Sequence, residues 1–562
     1  MGQTPSVESQ ESKETKNEMP ELKSREDILD FFNNRSLSIL LPMEIECFKS
    51  RLGDKDLSDP LTKDEFNTLL RIADSNSQLQ ILLWNFFLKI SAFPFLSNRS
   101  ESMTGFGILK GIILLTRERI KKYLGWSNAK LIKLIFIGLT SQEKVGVKTE
   151  ASVFKIQHVL DTLDGIDLAS STVKDTDMLS FITWLLLLSV HCPTSNCKLN
   201  EKSLYDKWKD YEIVASSMVR SMNKKITTTG KGIGISYSDF SHTIVAVSKN
   251  VMSPLENIVE HMLYKQDDLL EFPCLDTFLK ETKLMTYPLV AQLCTVLPNE
   301  IVMSQLQKLY VGRESGYSMR SLQSKVFNWK AATILLVSGT RIVDDIEYSE
   351  NKNPRYKRFL EEYPKLKDED QEMDDCHNLK KKVTFAVYID EPWRVTNKNY
   401  FGEKRTSIIE LSPRQDKFNS LKVGSVYFNT IGGGIGIGNN QPVTKLNSVR
   451  YAPGNVSLTL DNTLEFGVFR HTGYGGTIGP SELLKKNNEE NKAFEIRFLI
   501  RDVEVWGCGG EKELEEQLRE WKWEEAEAKR RQEINLKTMG EDRALLEMAG
   551  IIGQHGQSGG SI

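Results

Sequence analysis

The chain has 562 residues, and its 73 basic and 76 acidic residues leave a formal net charge of −3. A dedicated nucleic-acid-binding protein has a basic face and a high isoelectric point, so this balance argues against direct nucleic-acid binding. Seven cysteines without a CxxC pair do not form a disulfide framework, which favours a reducing, intracellular setting. The longest apolar run, FITWLLLLSV at 181–190, is too short to span a bilayer and predicts a buried helix.

Residues 1–24 are polar and lack the apolar stretch of a signal peptide. Such a segment buries too little surface to offset its ordering entropy, so a disordered tail is predicted. Its start, MGQTPS, matches the N-myristoylation pattern, with Gly2 as acceptor and Ser6 at the required offset. A chance match is the alternative. One myristate binds membranes only marginally, and the tail carries neither a basic cluster nor a cysteine, so stable membrane residence would need a protein partner.

Residues 25–283 predict a helical domain, because apolar residues recur at spacings of three and four. The sequence TKDE at 62–65 stands directly before Phe66 and matches a capping box. In that motif the first and last side chains each bond the other residue's backbone N–H group. A helix is therefore predicted to begin at this point.

The segment 54–65 resembles the calcium-binding loop of an EF-hand, with oxygen-bearing side chains at the ligand positions. These degenerate candidate ligands are Asp54, Asp56, Ser58, Thr62 and Glu65. The position that needs glycine for a sharp turn holds Asp59 instead. A weaker echo of the loop is ISYSDF at 235–240. We expect an EF-hand-like scaffold retained without metal, and calcium binding is the alternative.

Beyond about residue 315 the pattern changes to short β-prone runs separated by Gly, Asn and Pro clusters. The runs are ATILLVS, VTFAVYI, SIIELS, GSVYFNTI, VSLTLD, LEFGVF and FEIRFLI. The charge-rich stretch 341–382 is predicted to be a protease-sensitive loop inserted between two strands. Acidic residues precede basic ones along 511–531, which predicts a charged helix before a flexible end. The predicted domains are 1–24, 25–283, 284–510 and 511–562.

The glycine run GGGIGIG at 432–438 lacks the Gly-Lys-Ser/Thr of a P-loop and the following helix of a dinucleotide-binding turn. It therefore predicts a bulge or close backbone packing, with nucleotide binding as the alternative. His191, Cys192 and Cys197 do not have zinc-ligand spacing. No catalytic motif is visible, so neither an enzymatic activity nor a cofactor is predicted.

Five sequence blocks, in order, resemble the TLDc domain family. They are GYSMRSL at 316–322, ATILLV at 332–337, FAVYIDEPW at 385–393 with YFG at 400–402, GGGIGIG at 432–438 with LEFG at 464–467, and DVEVW at 502–506. The resemblance implies an α+β chain, in which a helical EF-hand-like domain precedes a two-sheet TLDc β-sandwich with edge helices and a C-terminal charged helix. The family-motif positions, with structural or partner-binding roles, are Pro392, Trp393, Gly402, Gly432, Gly433, Gly434, Glu504 and Trp506.

The family resemblance implies no settled enzymatic activity. It implies a link to oxidative-stress resistance and binding to the vacuolar-type proton ATPase, often with disassembly of that complex. One hypothesis is therefore a cytoplasmic adaptor that docks on this ATPase and reaches the vacuole membrane peripherally, helped by Gly2 myristate. The other is a stress-defence enzyme that uses Glu504 beside Trp506. Glu504 alternates with valines, so a solvated strand position explains it equally well.

Overall fold

The computed structural model describes residues 24–530 with gaps. The gaps are 54, 73–75, 98–99, 127, 141–155, 164, 191–204, 265–280, 299–300, 302–304, 343–352, 367–380, 446–447, 474, 510–511, 524–525 and 528. The predicted tail up to residue 23, with Gly2, and the His191, Cys192 and Cys197 group lie outside the described residues. The chain divides into two compact units. The first comprises 1–215, 229–244 and 251–272, and the second comprises 216–228, 245–250 and 273–562.

Helices dominate the first unit, as the apolar spacing predicted. The main helices of the described residues are α1 Arg25–Ile39, α2 Pro42–Arg51, α3 Lys63–Leu69, α4 Ser77–Ser91, α5 Gly105–Leu115, α6 Arg117–Leu124, α7 Asn128–Leu139, α8 Ile156–Thr162, α9 Asp175–Val190, α10 Trp208–Met222, α11 Tyr237–Ala246, α12 Leu255–Leu263, α13 Tyr287–Val296, α14 Gly312–Ser315, α15 Met319–Val326, α16 Pro354–Glu362 and α17 Glu482–Lys486. Residues 512–523 of the predicted charged helix are also helical.

The predicted capping box is present at the start of α3. Glu65 N donates to Thr62 Oγ1 at 3.3 Å, and Thr62 N donates to Glu65 Oε2 at 2.9 Å. The predicted buried helix is confirmed as well, because the run 181–190 lies in α9 and Phe181 and Leu185 are fully buried. Among the described residues, no helix has both the length and the apolar character needed to cross a membrane.

Two short backbone pairings join loops in the first unit. Strand β1 (Thr172–Lys174) pairs antiparallel with β2 (Gly234–Ser236), and each leads directly into a helix, α9 and α11. Pro60 forms an isolated bridge with Thr104, and Leu61 N donates to Met103 O at 2.8 Å just before α3 and α5. Each pairing thus connects two helix-starting loops.

The second unit is built on one ten-stranded antiparallel sheet in the order β7-β6-β5-β4-β14-β13-β12-β9-β8, with β3 also on β14. Its strands, and the separate hairpin of β10 and β11, are β3 Leu306–Val311, β4 Thr333–Arg341, β5 Lys382–Ile389, β6 Ser407–Ser412, β7 Asp416–Asn419, β8 Val426–Asn429, β9 Gly434–Ile437, β10 Asn440–Lys445, β11 Ser448–Ala452, β12 Val456–Leu460, β13 Phe466–His471 and β14 Phe494–Cys508. Each of the seven β-prone runs contains residues of a strand.

The predicted pair of separate sheets is corrected to one continuous sheet that folds over on itself. Phe385 of β5 stacks on Phe469 of β13, with ring centroids 5.1 Å apart, although two strands separate β5 from β13 in the sheet. Phe418, on the edge strand β7, also lies 5.1 Å from Phe469. Facing halves of the sheet thus enclose one apolar core. The fifteen-residue β14 joins the halves, and bulges interrupt its pairing with β4 and β3.

The predicted insertion 341–382 contains a packed helix. Asn353 caps α16, and Tyr356, Phe359 and Tyr363 are buried in a small core with residues of β11 and β13. The loop prediction is therefore wrong for residues 353–366. Tyr356, Phe359 and Tyr363 recur at spacings of three and four, as in an amphipathic helix, but the many charged residues around them led to the prediction of a loop.

Buried ion pairs hold the same segment. Glu495 accepts from Arg470 Nε and from Arg497 Nε, both at 2.9 Å. The two arginines then donate to the backbone of the insertion, Arg470 to Pro364 O at 2.6 Å and Arg497 to Tyr363 O at 2.8 Å. Removing one member would leave buried charge uncompensated, so the cluster fixes the backbone just after α16 to the sheet.

We predict that residues 353–366 resist proteolysis in the native protein and become cleavable in Phe359→Ala. Loss of a buried phenylalanine ring costs about 3–5 kcal/mol, enough to detach a short helix. Limited digestion with proteinase K and mass spectrometry of the fragments measures this. Arg358→Ala is the control, because that side chain on the same helix is 68% exposed. Equal cleavage of the two variants would contradict the packing described above.

Candidate functional site

Glu504, the acidic residue considered for catalysis, lies in the middle of the β4–β14–β3 pairing and is 1% exposed. Its Oε2 accepts from Thr282 Oγ1 at 2.7 Å and from Trp506 Nε1 at 3.0 Å, and its Oε1 accepts from Leu284 N at 3.1 Å. Trp506 reaches it because residues two apart share a face of a strand. The predicted solvated position is therefore wrong, because residues 282–284 cover this face.

These contacts determine what the Glu504 carboxylate can do. A general acid or base must come within hydrogen-bond reach of a substrate proton. Three donors from the chain itself already occupy this carboxylate, and almost none of the residue is exposed. The arrangement ties Thr282 and Leu284 to the sheet, which is a structural role.

The motif residues 392–402 lie in one loop organised by two carboxylates. Glu391 Oε2 accepts from Gly402 N at 2.6 Å, and Asp390 Oδ1 accepts from Glu403 N at 2.9 Å. Gly402 has φ +97°, which favours glycine. Trp393 is 3% exposed and donates through Nε1 to Thr333 Oγ1 at 2.8 Å. The half-buried Pro392 precedes it.

The glycine run forms a turn and then β9, between β8 and β12. At Gly434 a Cβ would lie 2.2 Å from Leu460 O, and at Gly438 it would lie 2.1 Å from Val456 O. The turn residues Gly432 (φ +99°) and Gly433 come close to Val449 and Pro442. The prediction of close backbone packing is confirmed. A strand follows this turn, whereas a phosphate-binding loop leads into a helix.

Two loops beside the motif present exposed apolar side chains. Thr396 N donates to Phe428 O at 3.0 Å, and Thr430 N donates to Asn397 Oδ1 at 2.9 Å, so the two loops are bonded together. Their exposed residues are Val395, 41% exposed, and Ile431, 58% exposed. We call this pair the 395/431 surface. It is the outward face of a region whose motif residues are mostly inside.

Two of the degenerate calcium ligands, Thr62 and Glu65, bond each other at the start of α3. Asp54 lies outside the described residues, and Asp56 and Ser58 are exposed. Glu65 is bonded by Lys55 and by Thr62 N, and these bonds, with that of Lys55 the largest, lower the pKa of its carboxyl to about 2. Within the described part of the chain, no group of three or more His, Cys, Asp or Glu residues is placed to hold a metal ion.

A glutamine that the sequence did not single out connects several helical segments to the β6–β7 hairpin. Gln415 is fully buried, and its Nε2 donates to Ser248 Oγ at 3.0 Å and to Thr295 Oγ1 at 3.2 Å. Its Oε1 accepts from Gln292 Nε2 at 2.9 Å, and its N–H donates to Ser217 O at 3.1 Å. These bonds explain why 216–228 and 245–250 belong to the second unit, which extends beyond the predicted domain 284–510.

Asp416, beside this glutamine, is a buried carboxyl group. Burial, the largest effect, raises its pKa to about 7, although Ser481 Oγ donates to its Oδ2 at 2.7 Å. Glu410, its cross-strand neighbour, also raises the pKa, and Arg414 lowers it. In the folded protein the protonated form is therefore favoured below about pH 7.

Comparisons with known proteins match this architecture. The TLDc domain profile matches residues 278–509. "Restriction of telomere capping protein 5" of Saccharomyces cerevisiae is 46% identical over 569 aligned residues that cover all of both chains. The protein of the same name from Kluyveromyces lactis is 43% identical, and the alignment covers all of both chains. The one from Zygosaccharomyces rouxii is 45% identical, and the alignment covers 96% of this chain and 97% of the relative.

Glu504→Gln is predicted to destabilise the protein by about 1–3 kcal/mol. The substitution replaces one carboxylate oxygen by an NH₂ group, which cannot accept a hydrogen bond, so at least one buried donor loses its acceptor. Chemical denaturation followed by tryptophan fluorescence measures the change. Glu314→Gln is the matched control, since that side chain is 56% exposed. A similar loss of stability in both variants would argue against the bonding described for Glu504.

The free energy of unfolding of the second unit is predicted to fall as pH rises from about 4 to about 7. The fall is expected to be larger in the wild type than in Asp416→Asn, which lacks the titrating carboxyl group. The folded-state pKa of Asp416 is raised, so the folded state binds more protons than the unfolded state across this window, and the advantage is lost by about pH 7. Each pKa unit corresponds to about 1.4 kcal/mol. Denaturation of both proteins across the window measures the difference. Parallel pH profiles would contradict the prediction.

Proposed function

The chain belongs to the restriction of telomere capping protein 5 family, and on this premise we propose that it is a non-enzymatic adaptor that binds the vacuolar-type proton ATPase and promotes its disassembly. The observation that carries the proposal is the environment of Glu504. The acidic residue that an enzyme hypothesis would use is buried and fully bonded within its own chain. The exposed 395/431 surface of the same unit is suited to binding a protein.

The 395/431 surface is the proposed docking element. Exposed apolar residues next to polar ones are typical of protein-binding patches. Arg394 stands beside Val395 with a 52% exposed side chain and is held by Glu391, so the patch has a charged rim. Its loops are fixed by the hydrogen bonds from Thr396 N to Phe428 O and from Thr430 N to Asn397 Oδ1, so little ordering entropy is lost on binding.

The proposed location is the cytoplasm, with peripheral association to the vacuole membrane. Gly2 myristate gives an association constant of only about 10⁴ M⁻¹, which does not hold the protein alone. When the TLDc domain also binds a membrane-resident complex, the second contact forms at high effective concentration. The role in telomere capping that the relatives' name indicates would be indirect, since the charge balance of this chain does not favour DNA contact.

The helical domain is proposed to be an EF-hand-like scaffold without metal. The pairing of helix-starting loops, Pro60 with Thr104 and β1 with β2, supports this architecture. The oxygens of Glu65, which would end a calcium loop, are used by Thr62 and Lys55. The loops then orient helices and bind no ion.

The first test is co-purification. Tagged full-length protein is expected to recover subunits of the vacuolar-type ATPase from solubilised membranes, and the double variant Val395→Asp, Ile431→Asp is expected to lose them. Val443→Asp is the control, because Val443 is 53% exposed on the separate β10–β11 hairpin of the same unit. Unchanged recovery by the double variant would exclude the 395/431 surface, and no recovery by the wild type would exclude the partner.

The second test concerns the membrane. Gly2→Ala is expected to move most of the protein to the soluble fraction, and the double surface variant is expected to do the same with the lipid intact, because either contact alone is weak. Cell fractionation measures both. A fusion of residues 1–24 to a fluorescent protein should remain mostly cytosolic. If that fusion stays on membranes, or if Gly2→Ala changes nothing, the linked-contact proposal fails.

A further inference from the structure

A cavity of about 580 Å³ opens in the helical unit. It lies where the end of α2, the helix α3 and the helix α12 meet. Its volume is in the range of small-molecule sites, which is about 300–1,000 Å³. Its basic lining residues are Arg51, Arg71 and His261, and Leu52, Leu61 and Leu69 give it an apolar wall.

Two buried nitrogen atoms in this lining have no hydrogen-bond partner within the described part of the chain. Arg51 Nη2 donates to Tyr264 O at 2.9 Å, which fixes the guanidinium, but its Nε is left unbonded. His261 is 3% exposed, and its Nδ1 is also unbonded. A buried polar atom left unsatisfied costs free energy, so a ligand that accepts from both atoms would recover it.

The electrostatics of the cavity favour an anion. Burial, the largest effect, lowers the pKa of His261 to about 3, and the positive charges of Arg71 and Arg51 lower it further. The positive charges of both guanidinium groups thus contribute to the electrostatic potential at the His261 imidazole. Of the acidic lining residues, Glu65 is paired with Lys55, and Asp64 is exposed to solvent.

We propose that this cavity binds a phosphate group, with Arg51 Nε and His261 Nδ1 as donors and with Arg71 as a second positive charge. Guanidinium groups match the geometry of phosphate oxygens and are favoured in such sites. Donors on α12 and at the end of α2 approach from different elements, which suits a tetrahedral anion. The leucine wall would hold the rest of the ligand, which is a soluble phosphorylated metabolite or a phosphorylated lipid headgroup.

The test uses the full-length protein and three probes. Calorimetry measures binding of inorganic phosphate and of a soluble inositol phosphate, and vesicle flotation compares phosphatidylcholine with and without phosphatidylinositol phosphate. Arg51→Gln, Arg71→Gln and His261→Gln are each expected to weaken phosphate binding about tenfold or more. Lys49→Gln is the control, since it removes the same charge from an exposed position on α2.

The probes separate the two sources of phosphate. Flotation that depends on the phosphorylated lipid and is lost in the three variants assigns a lipid headgroup, whereas calorimetric binding without flotation assigns a soluble ligand. Because Arg51 also bonds Tyr264, thermal unfolding checks that each variant folds, and Arg71→Gln and His261→Gln test the site if Arg51→Gln does not. The proposal is overturned if the wild type binds none of the probes, or if the folded variants bind them as Lys49→Gln does.

Discussion

The architecture of the second unit depends on a carboxylate buried in its longest strand. β14 pairs with β13, β4 and β3, so it is the one described strand that touches three others. Glu504 sits among these pairings, where a carboxylate is costly unless donors surround it. Thr282, Leu284 and Trp506 provide them. The need to satisfy one buried group therefore fixes the segment that enters the TLDc domain.

A second buried carboxylate, near the start of β14, holds the insertion 341–382 in a similar way. Glu495, nine positions before Glu504 in the strand, binds Arg470 and Arg497, and these arginines hold the backbone at Tyr363 and Pro364. Both ends of the strand thus use a buried carboxylate to secure a segment distant in sequence. Such contacts carry little net stability compared with apolar packing, but breaking one partner is costly, so they specify position.

Periodicity predicted the elements but not what covers them. Alternation along DVEVW showed that Glu504 and Trp506 share a face, whereas burial of that face depends on Leu284, which is 220 positions away. The packing of the glycine run could be predicted because glycine has no side chain and therefore occurs where backbones approach each other closely. The helix at 354–362 was missed because five charged residues surround its two aromatic residues, Tyr356 and Phe359. The cavity residues Arg51, Arg71 and His261 are too dispersed for any motif to connect them.

Several family-motif residues are buried, and this limits which residues could contact a partner. Trp393, Glu504 and Trp506 are each at most 3% exposed, so they cannot form the contact surface themselves. Trp393 packs against Phe428, whose carbonyl accepts from Thr396 N, whereas Glu504 bonds Trp506, Thr282 and Leu284. In the adaptor proposal, substitutions at the buried positions are therefore expected to affect folding and binding together, whereas substitutions on the 395/431 surface are expected to affect binding with the fold intact. Only the second kind can separate the adaptor proposal from a general loss of structure.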